Sequence, residues 1–347
     1  MPFLDFLHKV SSFQSLTAAE SEAALGLVLR GEATVPQIAA FLVALRMKGE
    51  TGEEILGLAR ALRTHSLKVD TGALGGPVLD TCGTGGDAAG SFNISTVAAL
   101  VAAGAGVKVA KHGNRSLASH CGSADILEAL GVKVAATTPE LMARELAEAG
   151  IGFLFAPALH PAMKYVQPAR AEVKMRTAIN LLGPLANPAG ARFQLIGAPA
   201  EGAARLMAGA LAELGTSRSF VVHGSDGMDE ITITGSTLVL EVTEGRVTEH
   251  VWQPADFGVA RASLADLAAP AKADNLRLAG EVLAGRPGPC RDIVTVNAAA
   301  ALVAAGVAPG LREGVKLAAE SIDSGSARAR LEALIRVSNS EEERPGG

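Results

Sequence analysis

Apolar residues recur at helical spacing through about residues 1–68. Thr17, Thr34 and Thr51 each stand three residues before a Glu or Gln. This capping-box spacing marks a helix start, because the hydroxyl and the acid or amide satisfy N–H groups that have no partner inside the helix. Gly31 and Gly49 stand where helices commonly end. The pattern predicts a small, all-helical N-terminal domain.

The pattern changes after Asp70 to short apolar runs that alternate with helical stretches. Strands are predicted at 78–81, 107–110, 152–155, 194–198 and 220–223, and helices at 96–103, 124–130 (capped by Ser123) and 202–214. Two or three further strands reach Val251, and helices predominate after residue 275. Alternation of this kind predicts a mainly parallel central sheet flanked by helices.

The α/β domain is predicted over residues 72–165 and 185–340. Residues of about 167–184 form a helical stretch between prolines and interrupt the alternation. We expect this returning segment to pack against the N-terminal helices.

The composition mainly argues against certain classes of function and location. The chain has 31 basic and 36 acidic residues, a net charge of −5 and few aromatic residues, which argues against nucleic-acid binding. No apolar run approaches the ~20 residues that span a bilayer. The first residues lack a basic signal-peptide region, and the three cysteines form no CxxC pair. We expect a cytoplasmic protein with no membrane contact.

Candidate chemistry begins after the first predicted strand, in DTCGTGGD. Gly83, Gly85 and Gly86 would let backbone N–H groups approach an anion, and the helix after Ser95 and Thr96 would add its positive end. The alternative is a tight turn with incidental glycines. The segment is neither a Walker loop nor a Rossmann fingerprint.

A polar loop, KHGNRSLASHCG, is predicted after the second strand. Because parallel strands end at one edge of the sheet, this loop should face the glycine loop. It would offer a second anion-binding wall made of Lys111, His112, Asn114, Arg115, Ser116 and Ser119. A merely solvated loop is the alternative.

Two further features are less specific alone. Asp229 and Glu230 are adjacent carboxylates at a predicted strand start, and with Ser95 they could hold Mg²⁺ beside a substrate with several phosphates. The alternative is a pair of exposed charges. Arg170 could bind a carboxylate bidentately, or it could be solvated or pair with Glu172.

Six segments, in chain order, resemble the anthranilate phosphoribosyltransferase family. They are GEATVPQIAAFLVALRMKGETGEEI, DTCGTGGD with FNIST, KHGNRSLASHCGSADILEALG, HPAMKYVQPAR, RTAINLLGPLANP and HGSDGMDEI. The resemblance covers nearly the whole chain. It implies a helical domain that forms a homodimer and a larger α/β domain. It also implies transfer of phosphoribose from 5-phosphoribosyl 1-diphosphate to the anthranilate nitrogen, with Mg²⁺ as cofactor.

The resemblance also implies site residues. The donor would contact Gly83, Gly86, Asp87, Ser91, Asn93, Ile94, Ser95, Thr96, Lys111, His112, Gly113, Asn114, Arg115, Ser116, Leu117, Ala118, Ser119 and Ser123. Mg²⁺ would bind Ser95, Asp229 and Glu230, and anthranilate would contact Gly83, Asn114, His160 and Arg170. Lys111, His112 and Arg170 are the catalytic candidates, and proton acceptance by His112 is a hypothesis.

The sequence departs from the family pattern in two places. His120 stands where the family often has Lys, and APAKADNL replaces a glycine turn and a Glu-Asn pair near residues 269–276. Two rival functions remain open. A pyrimidine nucleoside phosphorylase of the same superfamily would carry a KMSGR-type loop, and a non-catalytic nucleic-acid-binding relative would have lost GTGGD or the Asp-Glu pair.

Overall fold

The N-terminal helices begin where the capping pattern predicts. The structure, a computed structural model, describes residues 2–85, 90–115 and 121–340. Its first four helices are α1 (Phe3–Ser11), α2 (Ala18–Leu29), α3 (Val35–Lys48) and α4 (Gly52–Thr64). The Thr17 and Thr51 hydroxyls accept from the N–H groups of Glu20 and Glu54, respectively. The N–H of Thr34 donates to the Gln37 side chain at 2.9 Å.

A seven-stranded sheet forms the centre of the larger part of the chain. Its strands are β1 (Val78–Gly83), β2 (Lys108–Gly113), β3 (Ile151–Phe155), β4 (Phe193–Gly197), β5 (Arg218–Gly224), β6 (Thr237–Thr243) and β7 (Arg246–Trp252). The spatial order is β3-β2-β1-β4-β5-β6-β7. The first five strands are parallel, and β6 and β7 are antiparallel to their neighbours. The predicted fold class is confirmed.

Helices cover both faces of this sheet. The helices after α4 are α5 (Ile94–Gly104), α6 (Ser123–Ala129), α7 (Pro139–Glu148), α8 (Ala156–Leu159), α9 (Gln167–Val173), α10 (Ile179–Leu185), α11 (Glu201–Glu213), α12 (Pro254–Phe257), α13 (Lys272–Leu283), α14 (Pro289–Ala304), α15 (Leu311–Asp323) and α16 (Ser326–Asn339). Leu79 and Leu195 pack with α5 and α14 in one core. Cys82 and Ile196 share a second core with α11 and the N-terminal helices.

The returning segment lies against the N-terminal helices. Helix α9 contacts α3, and Val166 and Ala169 are buried in the same core as Phe41 and Leu42. No helix in the described part of the chain is both long and apolar enough to span a membrane.

Three local predictions were wrong. Strand β2 runs on to Gly113, so Lys111 and His112 belong to a strand rather than a loop. Helix α6 begins at Ser123 with Gly122 as its N-cap, so Ser123 is not the cap. Asp229 and Glu230 lie in the β5–β6 connection, well before β6 begins at Thr237, and not at a strand start.

Candidate active site

The candidate site lies where β1 and β4 end. From β1 the chain builds β2 and β3 on one side of the sheet, and then it crosses back to place β4 on the other side. Loops that leave β1 and β4 therefore diverge and open a crevice at the carboxyl edge, which is where α/β sheets bind ligands.

Asp229 lies over this crevice, and two glycines make room for it. A Cβ on Gly83 would lie 2.5 Å from Asp229 Oδ2, and one on Gly197 would lie 1.6 Å from the Asp229 carbonyl oxygen. Gly85, at φ +66°, donates its N–H to Asp229 Oδ2 at 2.9 Å. Gly83 and Gly197 thus let this buried carboxylate contact the ends of both strands.

Glu230 lies against the start of α5. The N–H of Ser95 donates to Glu230 Oε1 at 3.1 Å, so this carboxylate occupies the positive end of the helix. The two adjacent carboxylates therefore bridge the glycine turn after β1 and the N-terminus of α5. Burial raises the pKa of Asp229, while the Gly85 N–H and the charge of Arg176 oppose the rise.

The donor atoms suit a hard cation. Carboxylate oxygens of Asp229 and Glu230 and the hydroxyl of Ser95 are ligand types that Mg²⁺ prefers. Among the described residues, no three His, Cys, Asp or Glu side chains converge as a metal cage. Mg²⁺ bound here would complete its shell with substrate phosphates and water, as it does at many phosphate sites.

Lys111 and His112 lie side by side in β2, so their side chains leave opposite faces of the sheet. The Lys111 ammonium is buried; it donates to the Thr81 carbonyl and, at 3.4 Å, to Ser95 Oγ. Lys111 therefore lies beneath the α5 N-terminus, in strand β2 rather than in the predicted loop, and it binds the residue two positions before Gly83. A buried cation there still adds positive potential beneath Ser95.

His112 is held on the other face by three groups. Its backbone N–H donates to Asp80 Oδ1 at 3.0 Å, and its ring Nδ1 lies 2.9 Å from the Gly183 carbonyl oxygen. That contact requires a proton on Nδ1, so Nε2 is an acceptor. His160 Nε2 lies 3.2 Å from His112 Nε2 and donates its hydrogen to that nitrogen. Burial lowers the pKa of His112, so the ring is neutral.

His160 is also neutral, with a pKa lowered to about 3 by burial and by the neighbouring His112 and Lys68 side chains. An unfolded histidine titrates near 6.5, so between about pH 6.5 and 3 the His160 ring is protonated more in the unfolded chain than in the folded one. We therefore expect the unfolding free energy to fall as the pH drops through this window, by up to about 1.4 kcal/mol per pH unit for this ring.

His160→Gln should make this slope shallower, as measured by urea unfolding between pH 4 and 7. Glu145 titrates in the opposite sense, because burial raises its pKa to about 8, and comparing the variant with the unaltered chain cancels its contribution. Equal slopes for both proteins would contradict the assignment.

Residues after β2 diverge from their predicted positions. Arg115 forms a bidentate ion pair with Glu128 at 2.6 and 2.7 Å and a further bond to Asp125. Its side chain is therefore bound to α6, and its predicted contact with the donor stays a prediction. Ser123 donates to the Asn114 carbonyl at 3.3 Å. The predicted Gly86, Asp87, Ser116, Leu117, Ala118, Ser119 and His120 lie outside the described residues.

Residues 91–93, which lead into α5, are bound by residues from other parts of the chain. Ser91 pairs with Ala268 in an antiparallel bridge. The Asn93 N–H donates to Asn275 Oδ1 at 2.9 Å, and Asn93 Nδ2 donates to the Cys121 carbonyl at 3.1 Å. Ile94 and Thr96 are buried at the start of α5.

Arg170 lies on α9 and is half-buried. Burial lowers the pKa of its guanidinium. Within the described ranges its side chain has no hydrogen bond or ion pair, so the alternative that it pairs with Glu172 was wrong. A partly desolvated guanidinium with its N–H groups unpaired is suited to binding a carboxylate.

Sequence reasoning missed three buried asparagines that position the site. Asn187 donates to Asp80 Oδ2 and to the Ala110 carbonyl, both at 2.8 Å. Asn275 accepts from the N–H of Asn93. Asn297 on α14 binds both backbone groups of Ile231, accepting its N–H at 3.0 Å and donating to its carbonyl at 2.9 Å. For Asn297, the sequence signal was its place as the polar residue of an otherwise apolar, alanine-rich stretch, VNAAAALVA.

Asn297→Ala should leave the buried N–H of Ile231 unpaired, which costs about 1–3 kcal/mol of stability. Ile231 directly follows Glu230, a candidate Mg²⁺ ligand. Because loss of the bond would let Glu230 move, we also expect a rise in the Mg²⁺ concentration that gives half of the maximal catalytic rate. Thr295→Val in the same helix is the control, since it removes only a bond to the Asp292 carbonyl. An Mg²⁺ requirement unchanged in Asn297→Ala would show that the amide supports the fold alone.

Comparisons with known proteins agree with this geometry. Residues 4–66 match the helical bundle domain of the glycosyl transferase family, and residues 75–328 match its a/b domain. The chain is 59% identical to anthranilate phosphoribosyltransferase of Solibacter usitatus (strain Ellin6076) over 334 residues, covering 96% of this chain and 98% of the relative.

Solved structures are similar as well. Anthranilate phosphoribosyltransferase of Thermus thermophilus superposes with a TM-score of 0.89 at 41% identity, covering 97% of this chain and all of that one. The Saccharomyces cerevisiae enzyme in complex with PRPP and Mg has a TM-score of 0.88 at 29% identity, covering 98% of each chain. Matched over nearly its full length in sequence and in fold, the chain belongs to the anthranilate phosphoribosyltransferase family.

Proposed function

We propose that this chain transfers the phosphoribosyl group of 5-phosphoribosyl 1-diphosphate to the amine of anthranilate. The products are N-(5-phosphoribosyl)anthranilate and diphosphate, and the step belongs to tryptophan biosynthesis. The observation that carries the proposal is the bridging position of the carboxylate pair, where Asp229 accepts from Gly85 and Glu230 accepts from Ser95. This arrangement suits a donor that brings several phosphates and a cation.

Asp229, Glu230 and the Ser95 hydroxyl would hold Mg²⁺. When bound, the cation supplies positive charge to the diphosphate as it leaves. The α5 N-terminus, with the buried Lys111 beneath it, adds positive potential at the same edge. These groups favour departure of an anion without a strong acid.

In the transfer, the anthranilate nitrogen forms a bond to C1 of the ribose, and the C1–oxygen bond to diphosphate breaks. The electron pair leaves with diphosphate, and the nitrogen then releases a proton. The protein has mainly to hold both substrates in line and to exclude water. Arg170 would bind the acceptor carboxylate so that the amine faces C1.

The neutral His112–His160 pair would line the acceptor region. Both nitrogens of His112 already have partners, which argues against the hypothesis that His112 accepts the proton.

The wider assignments belong to the same proposal. The helical domain (residues 1–68 with about 167–184) would form a homodimer, which is supported by its exposed apolar side chains Leu4, Phe13 and Met47. Residues 72–165 and 185–340 would form the donor-binding domain, and the enzyme would act in the cytoplasm. Light scattering would test the dimer, which should have twice the 35.2 kDa chain mass.

Product analysis tests the reaction itself. Incubation with anthranilate, 5-phosphoribosyl 1-diphosphate and Mg²⁺ should consume anthranilate fluorescence and release diphosphate in equal amounts. A parallel incubation with pyrimidine nucleosides and phosphate should release no free base. Base release without anthranilate consumption would favour the phosphorylase, and neither reaction from folded protein would overturn the proposal.

A further inference from the structure

The connection between α9 and α10, residues 174–178, lies between the two substrate regions. Helix α9 carries Arg170, and α10 carries the Gly183 carbonyl that binds His112. Lys174 and Met175 are exposed to solvent. The Arg176 guanidinium instead extends toward the glycine turn after β1.

Arg176 and Asp229 bind Gly85 from opposite sides. Arg176 Nη1 donates to the Gly85 carbonyl at 2.6 Å, and the Gly85 N–H donates to Asp229 Oδ2 at 2.9 Å. The three residues therefore form a continuous chain of hydrogen bonds from the acceptor side to the carboxylate pair. Gly85 is in the left-handed region, where it can turn both peptide groups outward.

This contact is the direct link between the α9–α10 connection and the donor side. Within the described ranges, Arg176 is the one side chain of residues 171–178 with a hydrogen bond to the sheet domain. Its other terminal nitrogen, Nη2, is buried and has no partner among the described residues. Leaving a charged nitrogen without a partner costs free energy. The contact with Gly85 is therefore the hydrogen bond that the described residues give to this guanidinium in return.

We propose that Arg176 is a positioning residue that couples the donor site to the acceptor site. Resting on the proposed function, the inference is that a phosphate group on the Gly83–Gly85 turn fixes Gly85. Fixed Gly85 in turn holds Arg176, and with it α9 and Arg170, in the geometry that binds the acceptor. Binding of either ligand then strengthens binding of the other by the same factor.

The test is a binding experiment that needs no turnover. Anthranilate fluorescence gives the Kd of anthranilate with and without saturating Mg²⁺-diphosphate, which serves as the donor-side probe. For the unaltered chain we expect Mg²⁺-diphosphate to lower this Kd by about fivefold or more, within the usual range of coupling between sites. For Arg176→Met, which keeps the apolar stem, the ratio of the two Kd values should fall close to one.

Lys174→Met is the matched control, since it removes one positive charge from the same connection without touching Gly85. It should keep the full coupling. If Arg176→Met fails to fold by circular dichroism, Arg176→Lys replaces it, and its shorter side chain with a single nitrogen should lose most of the coupling.

Coupling that is absent in the unaltered chain, or unchanged in a folded Arg176 variant, would overturn the proposal. A failure of the proposed function is recognised separately, because the unaltered chain would then give no product when donor and acceptor are supplied together. A purely structural role for Arg176 would lower the unfolding temperature and leave the Kd ratio intact.

Discussion

Asp229→Asn is expected to lower kcat/KM for the transfer by about 10²- to 10³-fold, the usual loss when one group that stabilises developing charge is removed. The amide oxygen can still accept the Gly85 N–H, so the turn after β1 keeps its hydrogen bond. The negative charge that would hold Mg²⁺ is lost, and saturating Mg²⁺ should not restore the rate. Steady-state kinetics across a range of Mg²⁺ concentrations measure both effects.

Glu244→Gln is the control for the charge change, since Glu244 is exposed on the β6–β7 turn and pairs with Arg246. It should leave kcat/KM unaltered. A rate for Asp229→Asn within about threefold of the unaltered chain would remove Asp229 from the metal site.

Gly197→Ala should have the second large effect. The added Cβ would lie 1.6 Å from the Asp229 carbonyl oxygen and 2.6 Å from its carbonyl carbon, so the backbone at Asp229 must move. Overpacking of this kind costs about 1–3 kcal/mol of stability. A shift of about 1 Å at a positioning group costs about 10²-fold in rate. Urea unfolding and kcat/KM measure the two effects.

Gly209→Ala provides the matched control. Gly209 lies within α11, and a Cβ there would meet nothing within 4 Å. Replacement should stabilise the helix by about 0.5–1 kcal/mol and leave the rate unchanged. Equal, small effects from both substitutions would mean that Gly197 is not needed to seat Asp229.

The sequence predicted the sheet because its strands depend on local patterns, whereas the location of the site stays a prediction. Short apolar runs between helical stretches indicated the parallel strands, and the glycines after β1 indicated an approach of backbone to a ligand. The glycines proved to act differently in detail. Gly83 gives space to Asp229, a residue distant along the chain, and no local pattern reports such a contact.

The polar end of β2 was misjudged for a related reason. Lys111 and His112 look like loop residues because polar side chains in a central strand need buried partners. Those partners are Thr81, Asp80 and Gly183, which come from other elements. The asparagine contacts were missed for the same reason. Asn297 reaches Ile231, 66 positions away in the chain, and only the packing of α14 brings the two together.

A crystal structure with 5-phosphoribosyl 1-diphosphate and Mg²⁺ would show directly where the donor binds. We expect the diphosphate in the crevice between β1 and β4, with Mg²⁺ about 2.1 Å from an oxygen of Asp229 or Glu230. Diphosphate bound away from this crevice, or Mg²⁺ with neither carboxylate in its coordination shell or hydrogen-bonded to its waters, would contradict it.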